Sequence, residues 1–282
     1  MKEVTVSAHA KINLYLEVTS RLPDGYHALE STMHAVSLAD EVTVAHDGLP
    51  GIRLTCSDPA LPCGESNLAC RAARAFFAHT GISGGIRIHI RKVIPEGAGL
   101  AGGSADAAAV LRALNDLFRT ELDPLTLRRI GKTIGADVPF CLHRGAAEVR
   151  GIGEIITPCF PLPPCHLLIA EGDAPVSTPR AFAQLDQIHR QVRTGNPMTR
   201  LLREGRLDQI CAGLYNAFEA VVPSCHAVKE QLYQLGASGA LMSGSGSAVF
   251  ALFAGRHAAE TAREHLRNAG RRAWVCKVER EP

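Results

Sequence analysis

Aromatic residues are scarce, at 5% of 282 positions, and neither sign of charge dominates. Thirty Lys and Arg face 28 Asp and Glu, a formal net charge of +2. Nucleic-acid binders usually carry a basic stripe interleaved with aromatic rings, so that partner class is not expected. No apolar run approaches the roughly 18 residues that a membrane-spanning helix needs. The first segment, MKEVTVSAHAKINLYLEV, is interrupted by Glu3, His9, Lys11 and Glu17, which breaks any signal-peptide apolar region. No CxxC pair occurs among the nine cysteines, and neither they nor the twelve histidines show zinc-ligand spacing. Cys56, Cys63, Cys70, Cys141, Cys159, Cys165, Cys211, Cys225 and Cys276 stand singly, mostly among apolar neighbours, as reduced and buried thiols do. The class these absences leave is a soluble, cytoplasmic enzyme.

What is present suffices for a fold. Hydrophobic residues make up 46% of the chain, enough for one large core or two modest ones. Val4 and Val6, then Ile12, Leu14, Leu16 and Val18, alternate with polar residues as in a half-buried strand. Lys11, Asn13, Tyr15 and Glu17 then share its opposite face. Asp24-Gly25 signals a turn, and strand pattern returns at Glu41–Ala45 and Ile52–Thr55. A helix is predicted over 67–80, stopped by Gly81, then a strand over 86–90 and a helix over 105–118. Asp123-Pro124 opens a further helix that ends near Gly135, and AAEVRGIGEIITP reads as strand. Four prolines over Pro158–Pro164 mark the expected boundary between a domain at 1–160 and one at 161–282. The second would hold a strand at His166–Ala170, helical stretches at 200–213 and 217–236, and strands at 239–242 and 248–253. A Ser-Gly-Ser-Gly-Ser turn separates those two strands, and a helix at 258–268 and a strand at 274–278 close the chain. That order suits two layered α+β domains better than one doubly wound sheet.

The loudest feature is the glycine-rich loop joining the strand at 86–90 to the following helix. Its glycines allow positive φ and close backbone approach. The helix beginning near Ser104 offers free N–H groups and its dipole to an anion, so phosphate is the natural ligand. It is not a Walker A loop, because no Gly-Lys-Ser/Thr follows. Gly97, Gly99 and Gly102 satisfy GxGxxG, but a Rossmann unit needs a second strand after the helix, and here another helix start follows.

The loop Pro95-Glu96-Gly97-Ala98-Gly99-Leu100-Ala101-Gly102-Gly103-Ser104-Ala105 resembles the ATP-phosphate loop of the GHMP kinases. Ala10-Lys11-Ile12-Asn13-Leu14, Asp24-Gly25-Tyr26-His27 and Gly135-Ala136-Asp137-Val138-Pro139 resemble the branch acting on a cytidine-diphosphate-linked methylerythritol. The Gly151-x-Gly153-Glu154, Ser177-Thr178-Pro179 and Ser243-Gly244-Ser245-Gly246 stretches fall in the expected order, so the likeness spans nearly the whole chain. It implies a two-domain α+β fold, an N-terminal ribosomal-protein-S5-like domain and a C-terminal ferredoxin-like domain with the active-site cleft between them. The implied reaction transfers phosphate from ATP, with Mg²⁺, to the 2-hydroxyl of the methylerythritol moiety in non-mevalonate isoprenoid synthesis.

Residue roles follow from the same likeness. Taken alone, Asp137 before Val-Pro is a turn residue; the family turn makes it the general base, which an alcohol acceptor needs. Lys11 alone could be a solvated edge-strand lysine; the likeness pairs it with Asp137, keeping the carboxylate ionised and stabilising the attacking oxygen. Asn13 would bond substrate. Tyr26 would stack on cytosine and His27 would bond a base edge, where the pattern alone gives a hairpin tyrosine and a surface histidine. Phe182 would be the other face of that sandwich or a helix core residue. Asn67 is an adenine-side contact or a helix cap. Ala105 stands where a second Ser is frequent, and no acidic Mg²⁺ ligand is identifiable. Two other readings are another GHMP enzyme, such as homoserine kinase, and a non-catalytic nucleotide-binding regulator. The first would lack Asp-Gly-Tyr-His, and the second would lack Lys11 and Asp137.

Overall fold

The computed structural model describes residues 2–82 and 84–279. They form two compact units, each drawn from several stretches of chain. The first takes residues up to Ala10, Ala39–Ile94 and Ala101–Arg144; the second takes Lys11–Leu38, Pro95–Leu100 and Gly145 onward. Two long strands, β1 (Lys2–Arg21) and β2 (His27–His46), contribute residues to both, and the prolines at 158–164 fall inside the second.

In the first unit, Glu41–His46 of β2 pair antiparallel with β4 (Ile86–Arg91), which pairs parallel with β3 (Ile52–Cys56). Ile86, Ile88 and Ile90 point inward while their neighbours face out, so the alternation in the sequence is the alternation of the pleat. Against them pack α1 (Leu68–Thr80), α2 (Gly102–Phe118), α3 (Pro124–Lys132) and α4 (Val138–His143). Helix α2 is buried on nearly every side, which Ala105, Ala107, Ala108, Ala109 and Ala113 permit because small side chains let α1 and α4 approach. It starts at Gly102, three residues before the predicted start at 105. Asn67 caps α1 through Ala69 N–H, Gly81 ends it at φ +69°, and Asp123 caps α3 through Leu125 and Thr126 N–H.

In the second unit, Leu29–His34 of β2 pair with β5 (Ala146–Gly151), which turns back into β6 (Ile155–Pro158). A further sheet orders β11 (Ala273–Cys276), β7 (His166–Ala170), β10 (Val249–Phe253) and β9 (Gly239–Met242), all antiparallel. After β7 come α5 (Thr178–Gln187), α6 (Met198–Glu204), α7 (Leu207–Gly213) and the short strand β8 (Tyr215–Asn216). The strands β7, β9, β10 and β11, with α8 (Ser224–Gln234) before β9 and α9 (Arg256–Asn268) after β10, make the ferredoxin-like β-α-β-β-α-β arrangement. Its core gathers Leu168, Ala170, Val228, Leu232, Val249, Ala251 and Leu266.

Strand β1 departs from the half-buried reading. Lys11, Asn13, Tyr15 and Glu17 are 3%, 1%, 1% and 0% exposed. The sequence pattern shows a polar face but not what covers it, and segments 190–197 and 243–246 lie on this one. Among the described residues no helix is long and apolar enough to cross a membrane.

Candidate active site

Burying an ammonium is costly unless its protons find acceptors. Lys11 Nζ donates to Asn13 Oδ1 and to the Gly99 carbonyl, both at 2.7 Å. Asn13 Oδ1 also accepts from Gly244 N–H at 2.9 Å, while its Nδ2 donates to Ser31 Oγ at 2.9 Å. The Ser31 hydroxyl donates in turn to the Tyr15 carbonyl at 2.7 Å. On the far side Asn216 donates both amide protons, to the Met242 carbonyl at 2.7 Å and the Gly244 carbonyl at 2.8 Å. Its Oδ1 accepts from Phe218 N–H, so the whole amide is used to hold the 242–244 backbone. Farther along β1, Glu17 accepts from Arg190 Nη1 at 2.5 Å, Val18 N–H at 2.8 Å and Arg193 N–H at 2.9 Å. This pins the 190–197 segment, which with Tyr15 lines a cavity of about 700 Å³.

The glycine loop divides by task. At Gly99, φ is +75° and a Cβ would sit 2.0 Å from the Ser243 carbonyl oxygen. At Gly97, φ is +62° and a Cβ would lie 3.1 Å from Pro175 Cβ. These two glycines seat the loop against the rest of the second unit, reinforced by Ser243 Oγ donating to the Gly99 carbonyl at 3.0 Å. Buried Pro95, exposed Glu96, Ala98 and Leu100 fill the positions between. The remaining residues face a different task. Ala101 is left-handed at φ 59°, an uncommon state for a residue with a Cβ, and turns the chain into α2. The first N–H groups of α2, from Gly102, Gly103 and Ser104, have no acceptor within the helix and suit an anion.

In the first unit Asp137 is half-buried at the N-cap of α4, with Pro139 in the first turn where its missing N–H is harmless. Asn67, besides capping α1, donates to the Pro62 carbonyl at 2.8 Å. Below the start of α2 lies a cluster that no motif announces. Lys92 Nζ bonds Asp40 Oδ2 at 2.5 Å and Asp106 Oδ2 at 2.7 Å. Asp40 Oδ1 takes the Val93 and Ile94 N–H groups. Asp106 Oδ1 is buried without a partner among the described residues. Burial lifts the Asp106 carboxyl to about 7, with Lys92 pulling it down and Asp40 pushing it further up.

Tyr26 follows a turn in which its N–H bonds Asp24 Oδ1, and its ring is 59% exposed. His27 and Phe182 stack with ring centroids 4.5 Å apart and planes 20° apart. The structure thus brings Phe182 to His27, and Asp186 joins them at 2.8 Å from His27 Nε2.

The GHMP kinases N terminal domain matches residues 67–145, and the GHMP kinases C terminal domain matches 198–272. A 4-diphosphocytidyl-2-C-methyl-D-erythritol kinase of Geobacter sp. (strain M21) is 41% identical over 99% of both chains. This chain belongs to the 4-diphosphocytidyl-2-C-methyl-D-erythritol kinase family of GHMP kinases. The solved 4-(cytidine 5'-diphospho)-2C-methyl-D-erythritol kinase superposes with a TM-score of 0.82 at 37% identity, covering 99% of this chain and 100% of that one. A homoserine kinase from Cytophaga hutchinsonii, at 22% identity and TM-score 0.76, shares the fold. It covers 100% of this chain and 96% of its own.

GHMP kinases use ATP as co-substrate, which agrees with an anion-ready helix start after a glycine loop. In this GHMP kinase the sequence motifs name Lys11, Asn13 and the loop as candidates but miss the side chains packed around them. Asn216, Ser31 and Asp186 stand in no recognisable pattern. Asn216 could have been found only from its place just before the helical stretch at 217, an N-cap signal with a second use.

Proposed function

We propose that the protein transfers the γ-phosphoryl group of ATP to the 2-hydroxyl of 4-diphosphocytidyl-2-C-methyl-D-erythritol, a step of non-mevalonate isoprenoid synthesis. The observation that carries this is the 41% identity over 99% of both chains to a kinase of that name. Asp-Gly-Tyr-His at 24–27 and Gly-Ala-Asp-Val-Pro at 135–139 support the same acceptor.

Phosphoryl transfer depends on positioning and charge stabilisation more than on covalent chemistry. Gly102, Gly103 and Ser104 offer N–H groups to the phosphates, with Pro95–Leu100 and Ala101 shaping the approach and Ala105 continuing the helix. Asn67 borders the nucleotide from the start of α1. Asp137 takes the proton of the acceptor hydroxyl as that oxygen attacks. Lys11, its ammonium aimed by Asn13 and the Gly99 carbonyl, stabilises negative charge on the attacking oxygen. Asn13 keeps one N–H to offer the acceptor, since its other groups are engaged. Tyr26, His27 and Phe182 hold the cytosine. Mg²⁺ is bound by few protein oxygens and several phosphate or water oxygens. The Ser104 hydroxyl, in the first turn of α2, fits that sparse demand and is the side chain that would hold it. When bound, the ion neutralises charge on the phosphates.

A coupled ADP-release assay against a panel of acceptors tests the reading. Turnover is expected with the cytidylyl compound and negligible with homoserine, mevalonate or methylerythritol phosphate. Efficient use of homoserine or mevalonate, with none of the cytidylyl compound, would refute it.

A further inference from the structure

We propose that Asp186 decides which pyrimidine this site accepts, by fixing the His27 ring so that Nδ1 offers a lone pair to the base. The inference rests on the reading of the acceptor as a cytidine-linked compound and goes on to say what enforces the base. His27 opens β2 and Asp186 lies on α5, with 2.8 Å between Nε2 and Oδ1. The Arg21 guanidinium stands 3.9 Å from the other carboxylate oxygen. Phe182, one helical turn before Asp186, stacks on the His27 ring, and Phe218 braces Phe182 edge-on at 4.9 Å and 88°. The imidazole is therefore held by one face and one edge, and it adjoins Tyr26, the exposed ring of the pair.

The chemistry of the edge contact fixes a proton. A carboxylate oxygen only accepts, so Nε2 must carry the hydrogen, and in the neutral ring Nδ1 is then an acceptor. Cytosine presents an amino donor at its 4-position, whereas uracil presents a carbonyl acceptor there, as thymine does. An Nδ1 lone pair attracts the first and repels the second. Asp186 thus acts through His27, as a specificity-determining residue that does not itself meet the base.

The experiment has two arms. ¹⁵N NMR of the imidazoles in the free wild-type protein should show His27 as the Nε2–H tautomer; an Nδ1–H tautomer overturns the proposal without any variant. In the kinetic arm, cytidine- and uridine-linked methylerythritol diphosphates are compared. Wild type should favour the cytidine compound by about tenfold or more in kcat/KM, the effect of one well-placed contact. Asp186→Asn can donate to Nε2 and so reverse the tautomer. It should bring that ratio to about one or below while leaving the KM for ATP unchanged, because a contact that discriminates is lost without touching the nucleotide. Asp186→Glu, which keeps an accepting carboxylate, should restore preference for cytidine. A folded Asp186→Asn protein with the wild-type ratio overturns the role of Asp186 and leaves the proposed function standing. If wild type phosphorylates neither compound, the functional reading fails and this inference falls with it.

Discussion

Replacing Gly99 with Ala isolates the part of the glycine loop that faces protein rather than ligand. At φ +75° any residue with a Cβ is strained, by about 1–2 kcal/mol. The new methyl would lie 2.0 Å from the Ser243 carbonyl oxygen, 2.9 Å from its carbon and 3.0 Å from Gly246 N. All three are backbone atoms, so no rotamer change relieves the clash and the 243–246 turn must retreat. Two bonds to the Gly99 carbonyl are then lost or stretched, from Ser243 Oγ at 3.0 Å and from Lys11 Nζ at 2.7 Å. A neutral hydrogen bond is worth about 0.5–1.5 kcal/mol and one to a charged group about 1.5–3 kcal/mol. The expected destabilisation is thus about 3–6 kcal/mol, a large share of the total stability of a typical domain. Urea denaturation followed by circular dichroism measures it. Gly102→Ala is the control. Its φ is ordinary, and its Cβ would meet Ile94 Cγ2 at 3.1 Å and Ile94 Cβ and Lys92 Nζ at 3.4 Å, side-chain atoms rather than backbone. If Gly99→Ala loses no more stability than Gly102→Ala, or less than about 1 kcal/mol, the packing role assigned to Gly99 is wrong.

Three further outcomes are expected. Asp137→Asn should fold and bind ATP but turn over about 10²–10⁴-fold more slowly, and retention of half the wild-type rate in a steady-state assay would remove Asp137 as the base. Tyr26→Ala should raise KM for the cytidylyl acceptor about tenfold while KM for ATP stays put, since base–aromatic stacking is worth about 1–3 kcal/mol; equal changes in both constants would deny Tyr26 a base contact. Asp106 should make stability fall as pH rises. Burial chiefly raises its folded pKa to about 7 from 3.8, so its contribution is full below 3.8 and is lost as pH rises through about 7. Asp106→Asn should therefore gain on wild type between pH 4.5 and 7.5 in urea titrations, and a pH-independent difference between the two would contradict the assignment.

Where local chemistry decides an element, the sequence showed it. Asn67, Asp123 and Gly81 end their helices as side-chain caps and a left-handed glycine should, and the Ile86, Ile88 and Ile90 alternation is a pleat. Legibility failed where distant chain decides. Helix α2 begins at Gly102 because Ala101 adopts the left-handed turn there, and that strain depends on surroundings that propensity cannot see. Likewise β8 is two residues long and has no alternation to detect; its pairing with Tyr15 and Leu16 on β1 makes it a strand.

The candidate site repeats this division, and the reason is desolvation. A motif names the groups that meet substrate, but a buried charge also needs partners fixed before substrate arrives. The Lys11 ammonium is 3% exposed, and among its acceptors are one side chain two residues away and one carbonyl 88 residues away. The near acceptor, Asn13, is visible because strand periodicity places it on the same face. The far one, Gly99, is presented at the right place only while Ser243 and Gly244 press on it, and Asn216 holds that turn through the Met242 and Gly244 carbonyls. Carbonyls carry no side-chain identity, so nothing in the letters links residue 216 to residue 11. That chain of bonds still sets how firmly the ammonium is aimed. Any change that frees the 242–244 backbone should therefore loosen Lys11 as well, because the turn it frees also holds the carbonyl that aims the ammonium.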